Sequence, residues 1–410
     1  MGGKRLPLAR ALATGLAANL VALAAGLVTS VVTARGLDPA DRGTLIAVIL
    51  WGGLVSMVSI AGTDDAIVFV SKGRSALAKA LVFRLRRRQL ILAIAASVVQ
   101  AIVLYFAIDD IRMWLVGTFL SLLVVNANLV NQMLFSVLRT EGRLRTWALL
   151  QTVPPVVNLS ALLALWVFGA LNFTSAIVAW AASSVLTALI AMPATRPWST
   201  MREIDGNARE IYAAKSKSYG WGVLQGVLPQ QTNVRTPQLA LGFLGDHAVL
   251  GVYAVAVSVT TLIQSASQMI DQVLFPRLVS GVTKEIKPFT AVLVSTAVGV
   301  ALSTPVFVLA PWLIETIYGS AYLGAVGPMR VLLIAGIAAV SIGAMTAIAK
   351  SGGNAHLVRN AHVVGLLVTV GIIACLLGTF GAGAAAIAGS GSAVCVMVVL
   401  FIGLTRKRRS

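Results

Sequence analysis

Long apolar runs are the feature that most constrains how this chain folds. Charged residues make up 11% of the chain, whereas soluble domains carry about 25%, and a helix that crosses the hydrocarbon core needs about 20 mostly apolar residues. We therefore predict an all-α polytopic membrane protein with twelve transmembrane helices. The predicted spans are 8–34, 44–70, 89–108, 111–138, 146–169, 174–194, 219–243, 249–276, 288–310, 328–349, 358–378 and 382–404.

The positive charges predict the orientation of these spans. The net charge is +18, but the positive residues lie between apolar runs rather than in a cluster on a soluble fold, so a nucleic-acid partner is not indicated. With a cytoplasmic N-terminus, 27 of the 32 lysines and arginines face the cytoplasm. By the positive-inside rule both termini are then cytoplasmic. The exceptions are Arg35, Arg42, Arg112, Arg235 and Arg330.

The chain divides near its middle. The longest inner connection, 195–218, mixes charges of both signs and has the composition of a linker, with room for a surface helix. We predict two six-helix lobes, 1–200 and 201–410, related by a pseudo-two-fold axis along the membrane normal. GLDPADRGTL after the first span and LGDHAVLGVY after the seventh give weak support. They align Gly43 with Gly251 if the second turn has one extra residue.

The residues that usually carry metal or redox chemistry are scattered. The two cysteines, Cys375 and Cys395, lie in apolar runs without CxxC spacing, and the three histidines are far apart. Neither a metal site nor a cofactor is indicated. No soluble catalytic domain is visible, so we predict a protein that is not an enzyme.

Arg235 is the residue whose place in the membrane costs the most free energy, because it lies within a predicted span. A guanidinium at that depth needs protein, water or a bound anion beside it. Gln231 and Gln238 share its helix face at i−4 and i+3, and Pro229 and Pro237 bracket that face. The next span carries Gln264, Gln268 and Asp271 at the same spacing. Two neighbouring polar stripes predict a water-lined cavity.

Each of these residues also has a structural interpretation. Arg235 could extend its guanidinium to the membrane surface or bind backbone carbonyl groups. Glutamines in membrane helices more often join helices to each other than bind a ligand. Asp64, Asp65 and Asp271 lie nearer the predicted cytoplasmic end, where a solvated or packing role competes with gating or ion coupling.

Several motifs, in order along the chain, resemble a known family. ARGLDPADRGTLIAV, LRTEGRLRTWALLQ, LGDHAVLGVYAVAVSV, VLFPRLVSG and AKSGGNAHLVRN are similar to segments of bacterial polysaccharide exporters of the O-antigen flippase type. That family belongs to the multidrug/oligosaccharidyl-lipid/polysaccharide (MOP) exporters. The resemblance implies a MATE-like fold and alternating access around a central cavity, in a bacterial cytoplasmic membrane.

The resemblance also implies a substrate, a lipid-linked oligosaccharide with a pyrophosphate, a sugar chain and a polyprenyl tail. Arg235 would hold phosphate oxygens through its bidentate fork, and Arg35 would add a second positive charge. The sugar hydroxyls would meet neutral hydrogen-bonding groups. These are Gln231, Gln238, Gln264, Gln268, Asn126 and Asn131. The expected partners are this substrate, membrane lipids, a coupling ion (Na⁺ or H⁺) and glycan-assembly proteins.

Three rival functions stay open. A drug/cation antiporter of the same superfamily would favour acidic, aromatic-lined sites. A membrane glycan polymerase or ligase would present sizeable outer loops with catalytic charges, whereas the outer loops here are short. A scaffold without transport activity leaves the intramembrane arginine harder to explain.

Overall fold

The structure is a computed structural model that describes residues 5–195, 206–244, 246–279 and 288–406. All regular elements in these ranges are helical. The helices are α1 (Arg5–Gly36), α2 (Pro39–Ile60), α3 (Thr63–Ser71), α4 (Ser75–Ala107), α5 (Ile111–Thr140), α6 (Leu144–Val167), α7 (Phe173–Thr195), α8 (Gly206–Leu244), α9 (His247–Val279), α10 (Pro288–Val308), α11 (Ala310–Leu313), α12 (Val326–Ser351), α13 (Ala355–Phe380) and α14 (Ala382–Arg406). A π-helical turn (Ile314–Tyr318) and a 3₁₀ turn (Ser320–Ala325) join α11 to α12.

Each predicted span falls on a long helix, and α2 and α3 share one span. Within the described residues, eleven spans are long and apolar enough to cross a membrane, which confirms the polytopic all-α prediction. The remaining long helix is α8, whose apolar character is reduced by the polar residues around Arg235. At 39 residues, α8 is about 58 Å long, well beyond the ~30 Å hydrocarbon core.

The structure differs from the sequence prediction at two helix ends. Helix α8 begins at Gly206, so the predicted inner linker is helical from that residue onward. The span predicted as continuous over 44–70 is broken between α2 and α3, where Ala61 and Gly62 have φ angles of 47° and 64°. A Cβ atom on Gly62 would lie 2.4 Å from the carbonyl oxygen of Gly220 in α8, so this corner requires glycine both for its backbone angle and for space.

The helices pack into two compact units. Unit 1 comprises Met1–Gly36 and Val48–Gln225, and unit 2 comprises Leu37–Ala47 and Gly226–Ser410. Both α2 and α8 are therefore divided between the units. The lobe boundary predicted at residues 200 and 201 lies outside the described residues and stays a prediction.

Each unit has its own apolar core. In unit 1, α3, α4 and α5 meet around Ile67, Leu81 and Val137, all of which are fully buried. In unit 2, α12, α13 and α14 meet around Met345 and Leu400, also fully buried. In water, the burial of such a side chain contributes about 1.5–3 kcal/mol to the free energy of folding. In lipid the stabilisation comes mainly from van der Waals packing between helices.

The first turn of α2 crosses the first turn of α9 at two glycines. A Cβ atom on Gly43 would lie 1.8 Å from the carbonyl oxygen of His247, and one on Gly251 would lie 2.1 Å from that of Pro39. The two backbones therefore touch directly, which only glycine permits. The pair is the same one that the weak internal repeat aligns.

Candidate functional site

The outer half of α8 has one face that packs against other helices of unit 2. The buried Asn233 accepts hydrogen bonds through its Oδ1 atom from the hydroxyls of Thr369 on α13 (2.8 Å) and Ser392 on α14 (2.9 Å). Pro237, one turn further on, is buried beside Gly389 of α14. These contacts fix the rotation of α8 about its axis within unit 2.

The polar stripe lies on the opposite face. At 100° per residue, Gln231, Arg235 and Gln238 project about 140–160° away from Asn233. All three side chains are half-buried. The predicted common face of these three residues is thus present in α8, turned away from α13 and α14.

Arg235 has no hydrogen bond or ion pair to another residue within the described part of the chain, and no acidic side chain described there compensates its charge. A guanidinium within a membrane span costs about 2.5–3.5 kcal/mol by insertion measurements, and more if it is fully dehydrated. Its planar fork of donors suits a phosphate or carboxylate. The arrangement is therefore able to bind an anion, with Gln231 and Gln238 as neutral hydrogen-bonding neighbours.

The second predicted stripe is described only in part. Gln264 on α9 is half-buried, and its neighbour Ile263 packs against Gly336 of α12. The side chains of Gln268 and Asp271 lie outside the described residues. Their predicted roles in substrate binding and in gating or ion coupling stay predictions.

The two predicted asparagines lie on α5 of unit 1, and only one of them joins two helices. Asn131 is buried and donates a hydrogen bond of 3.1 Å to the carbonyl oxygen of Ser184 on α7. Asn126 is half-buried and donates to the carbonyl oxygen of Leu122 in its own helix. Each amide nitrogen keeps a second N–H, and the buried Oδ1 atom of Asn131 has no hydrogen-bond partner within the described part of the chain. The predicted contacts of both residues with sugar stay predictions.

Asp64 and Asp65 share one arginine. Arg139, at the end of α5, donates to Asp64 Oδ2 at 3.0 Å through Nη2 and to Asp65 Oδ1 at 2.7 Å through Nη1. Both aspartates lie in the first turn of α3, where a negative charge also interacts favourably with the helix dipole. Both aspartates thus join α3 to α5 through Arg139, in keeping with the packing role that was one of the two sequence-based interpretations. Their predicted role in gating or ion coupling stays a prediction.

The remaining predicted site residue, Arg35, lies in the last turn of α1 with an exposed side chain. It belongs to unit 1, whereas Arg235 belongs to unit 2. Its predicted role as a second positive charge for the substrate stays a prediction.

Sequence reasoning missed Arg42, a charged residue that is only 1% exposed. Its Nη1 atom donates to the carbonyl oxygen of Gly251, and its guanidinium lies 5.3 Å from the centroid of the Tyr322 ring. Tyr322 in turn donates a hydrogen bond of 3.5 Å to the carbonyl oxygen of Leu37. Buried charges need such partners. Arg42 therefore secures the glycine crossing of α2 and α9, a role that no spacing in the sequence marks.

The fold is similar to that of solved transporters of one superfamily. The lipid II flippase MurJ in an inward closed conformation has a TM-score of 0.77 at 11% identity, covering 95% of this chain and 87% of that one. An inward-facing MATE multidrug transporter of the MOP superfamily has a TM-score of 0.65 at 14% identity, with 96% and 94% covered. The chain has a MATE-like fold.

A eukaryotic MATE transporter, AtDTX14, is similar at a TM-score of 0.62 and 14% identity, with 98% of this chain and 96% of that one covered. No family model and no curated protein matches the chain. At these identities the likeness concerns the fold alone. It confirms the MATE-like, polytopic architecture.

Proposed function

We propose that the protein is a flippase of the polysaccharide exporter type. In this proposal it moves a lipid-linked oligosaccharide from the cytoplasmic to the outer leaflet of a bacterial cytoplasmic membrane by alternating access, with both termini in the cytoplasm. No covalent bond of the substrate is broken, so the protein acts as a transporter and not as an enzyme. Substrate, membrane lipids, a coupling ion and glycan-assembly proteins are the proposed partners.

The observation that carries this proposal is the state of Arg235. It is half-buried in α8 within the predicted seventh span, and the described residues supply no acid for it. A substrate pyrophosphate supplies the missing negative charge, and Gln231 and Gln238 beside it suit sugar hydroxyls. The likeness of the fold to that of a lipid II flippase supports a lipid-linked substrate.

Replacement of the arginine tests this proposal. We expect Arg235→Ala to reduce glycan export at least tenfold, because the loss of a charge-assisted contact to phosphate costs about 1.5–3 kcal/mol. Arg235→Lys keeps the charge but loses the fork, and an intermediate rate is expected. The measurement is the rate at which a labelled lipid-linked glycan reaches the outer leaflet, normalised to the amount of protein in the membrane.

Arg330→Ala is the matched control. Arg330 is also a half-buried arginine of unit 2, but it lies near the start of α12 and is held by Phe307, whose carbonyl oxygen accepts from Arg330 Nε at 3.4 Å. Export should continue in this variant at the parent rate. Export by Arg235→Ala at the parent rate would remove the proposed site.

A drug/cation antiporter is the second candidate, favoured by the similarity to MATE multidrug transporters. A cationic drug would be repelled by Arg235 and would need an intramembrane acid. Asp271 is the acidic residue of α9 that fits this requirement by position. Resistance to cationic drugs that depends on a sodium or proton gradient and is lost in Asp271→Asn would favour the antiporter over the flippase.

A further inference from the structure

A cluster of positive charges surrounds one tyrosine of unit 1, on the inner part of α8 before its predicted span. The guanidinium of Arg74 lies 5.1 Å from the centroid of the Tyr212 ring, and the Lys215 ammonium lies 5.9 Å from it. Lys72 is close enough for its charge to act on the Tyr212 hydroxyl. A hydrogen bond from Arg74, followed by the charges of Arg74, Lys215 and Lys72, lowers the pKa of Tyr212. We call Lys72, Arg74, Lys215 and Tyr212 the inner basic cluster.

No carboxylate in the described part of the chain pairs with these three cations. The acidic side chain nearest in sequence is Glu210, which binds Arg84 at 2.9 Å. The side chains of Lys72, Arg74 and Lys215 are all exposed. The cluster therefore presents a positive surface that remains open to an anion.

The chain turn at the cluster adds a backbone feature. Lys72 and Gly73 both have left-handed φ angles, 46° and 81°, and Arg74 directly precedes the first residue of α4. The tight turn keeps Lys72 and Arg74 close together. It also places them at the N-terminal end of a 33-residue helix, where the helix dipole favours a bound anion.

An aromatic pair continues the same surface deeper along the helices. Tyr219 lies seven residues after Tyr212, about 10 Å further along α8 on nearly the same face. Its ring stacks on that of Phe69 in α3, with centroids 4.2 Å apart and planes 7° apart. Both rings are well exposed, Phe69 at 55% and Tyr219 at 40%. The surface thus carries its charges at the predicted cytoplasmic end and its apolar rings toward the predicted membrane interior.

We propose that this surface binds a phosphate-bearing lipid, with the phosphate on the inner basic cluster and the adjoining chain against Phe69 and Tyr219. The inner basic cluster matches the charged head of such an amphiphile, and the two aromatic rings match its apolar chain. The bound lipid is an anionic phospholipid of the membrane or a polyprenyl phosphate. The site goes beyond the proposed transport site at Arg235, and its binding is measured without transport.

The test is lipid binding to the purified full chain by native mass spectrometry. Phosphatidylglycerol and a polyprenyl phosphate are titrated separately against protein held in neutral phosphatidylcholine. We expect Lys72→Ala/Arg74→Ala/Lys215→Ala to bind at least one of the two lipids on the order of a hundredfold more weakly, because each cation near a membrane surface contributes about fivefold. The lipid whose binding falls identifies the source of the phosphate.

Arg86→Ala/Arg87→Ala/Arg88→Ala removes the same charge from α4 outside the cluster and should retain the parent affinity. Lys72→Glu/Lys215→Glu keeps the Arg74–Tyr212 contact and should lose binding as well, which guards against misfolding of the triple variant. Unchanged binding of both lipids in the triple alanine and glutamate variants, or an equal loss in the Arg86–Arg88 control, would overturn the proposal.

Discussion

Asn233 shows how a single polar residue fixes a membrane helix in place. Its Oδ1 atom accepts hydrogen bonds from side chains of two other helices, Thr369 on α13 and Ser392 on α14. Because this bond pair determines which face of α8 is packed, it also determines where Arg235 points. The sequence predicted the stripe that carries Arg235 from spacing alone. Asn233 was missed, since nothing in the spacing distinguishes a buried amide from an exposed one.

We expect Asn233→Ala to lower the free energy of unfolding by about 0.5–2 kcal/mol, the range of interhelical hydrogen bonds in membranes. The measurement is thermal or denaturant unfolding of the purified protein in detergent. Asn126→Ala is the control, because its amide donates only to its own helix, and a change within about 0.5 kcal/mol is expected. Equal stability of the two variants would contradict the anchoring role of Asn233.

At the scale of elements, helix positions followed from the sequence and helix contacts did not. The apolar runs place the spans, but the break at Ala61 and Gly62 leaves the hydropathy of the run unchanged and was invisible. A surface helix in the inner connection was one sequence-based interpretation, but its charged residues gave no sign that it continues without a break into the next span, as α8 does from Gly206. The pairing of Arg139 with Asp64 joins residues 75 positions apart, and no local periodicity encodes such a contact.

The crossing of α2 and α9 gives a prediction for elements. Gly43→Ala or Gly251→Ala places a methyl group against a carbonyl oxygen of the other helix, so the helices must separate and stability should fall by about 1–3 kcal/mol. Gly26→Ala is the matched control in α1, since a Cβ atom there meets nothing within 4 Å. That change should be neutral or slightly stabilising. Unfolding midpoints in detergent compare the three variants, and equal midpoints would show that the crossing tolerates a side chain.

For the whole molecule, composition and the length of the apolar runs were enough to predict a polytopic helical protein, and the MATE-like architecture followed from the resemblance of ordered motifs to a known family. The orientation rests on the distribution of lysine and arginine. We expect green fluorescent protein fused after Ser410 to fluoresce, because it folds in the cytoplasm. Alkaline phosphatase at the same place should be inactive. An active phosphatase fusion would reverse the predicted orientation and, with it, the direction of transport.

The contact between Gly43 and Gly251 also bears on how such a chain is free to diverge. Each glycine lies against backbone rather than against a side chain that has room to shrink, so no change in the opposing residue makes space for a bulkier one. The two positions, more than 200 residues apart in the chain, therefore share a single constraint and are expected to stay small together in related sequences. Substitutions elsewhere on α2 and α9 do not relax the steric constraint on these two positions.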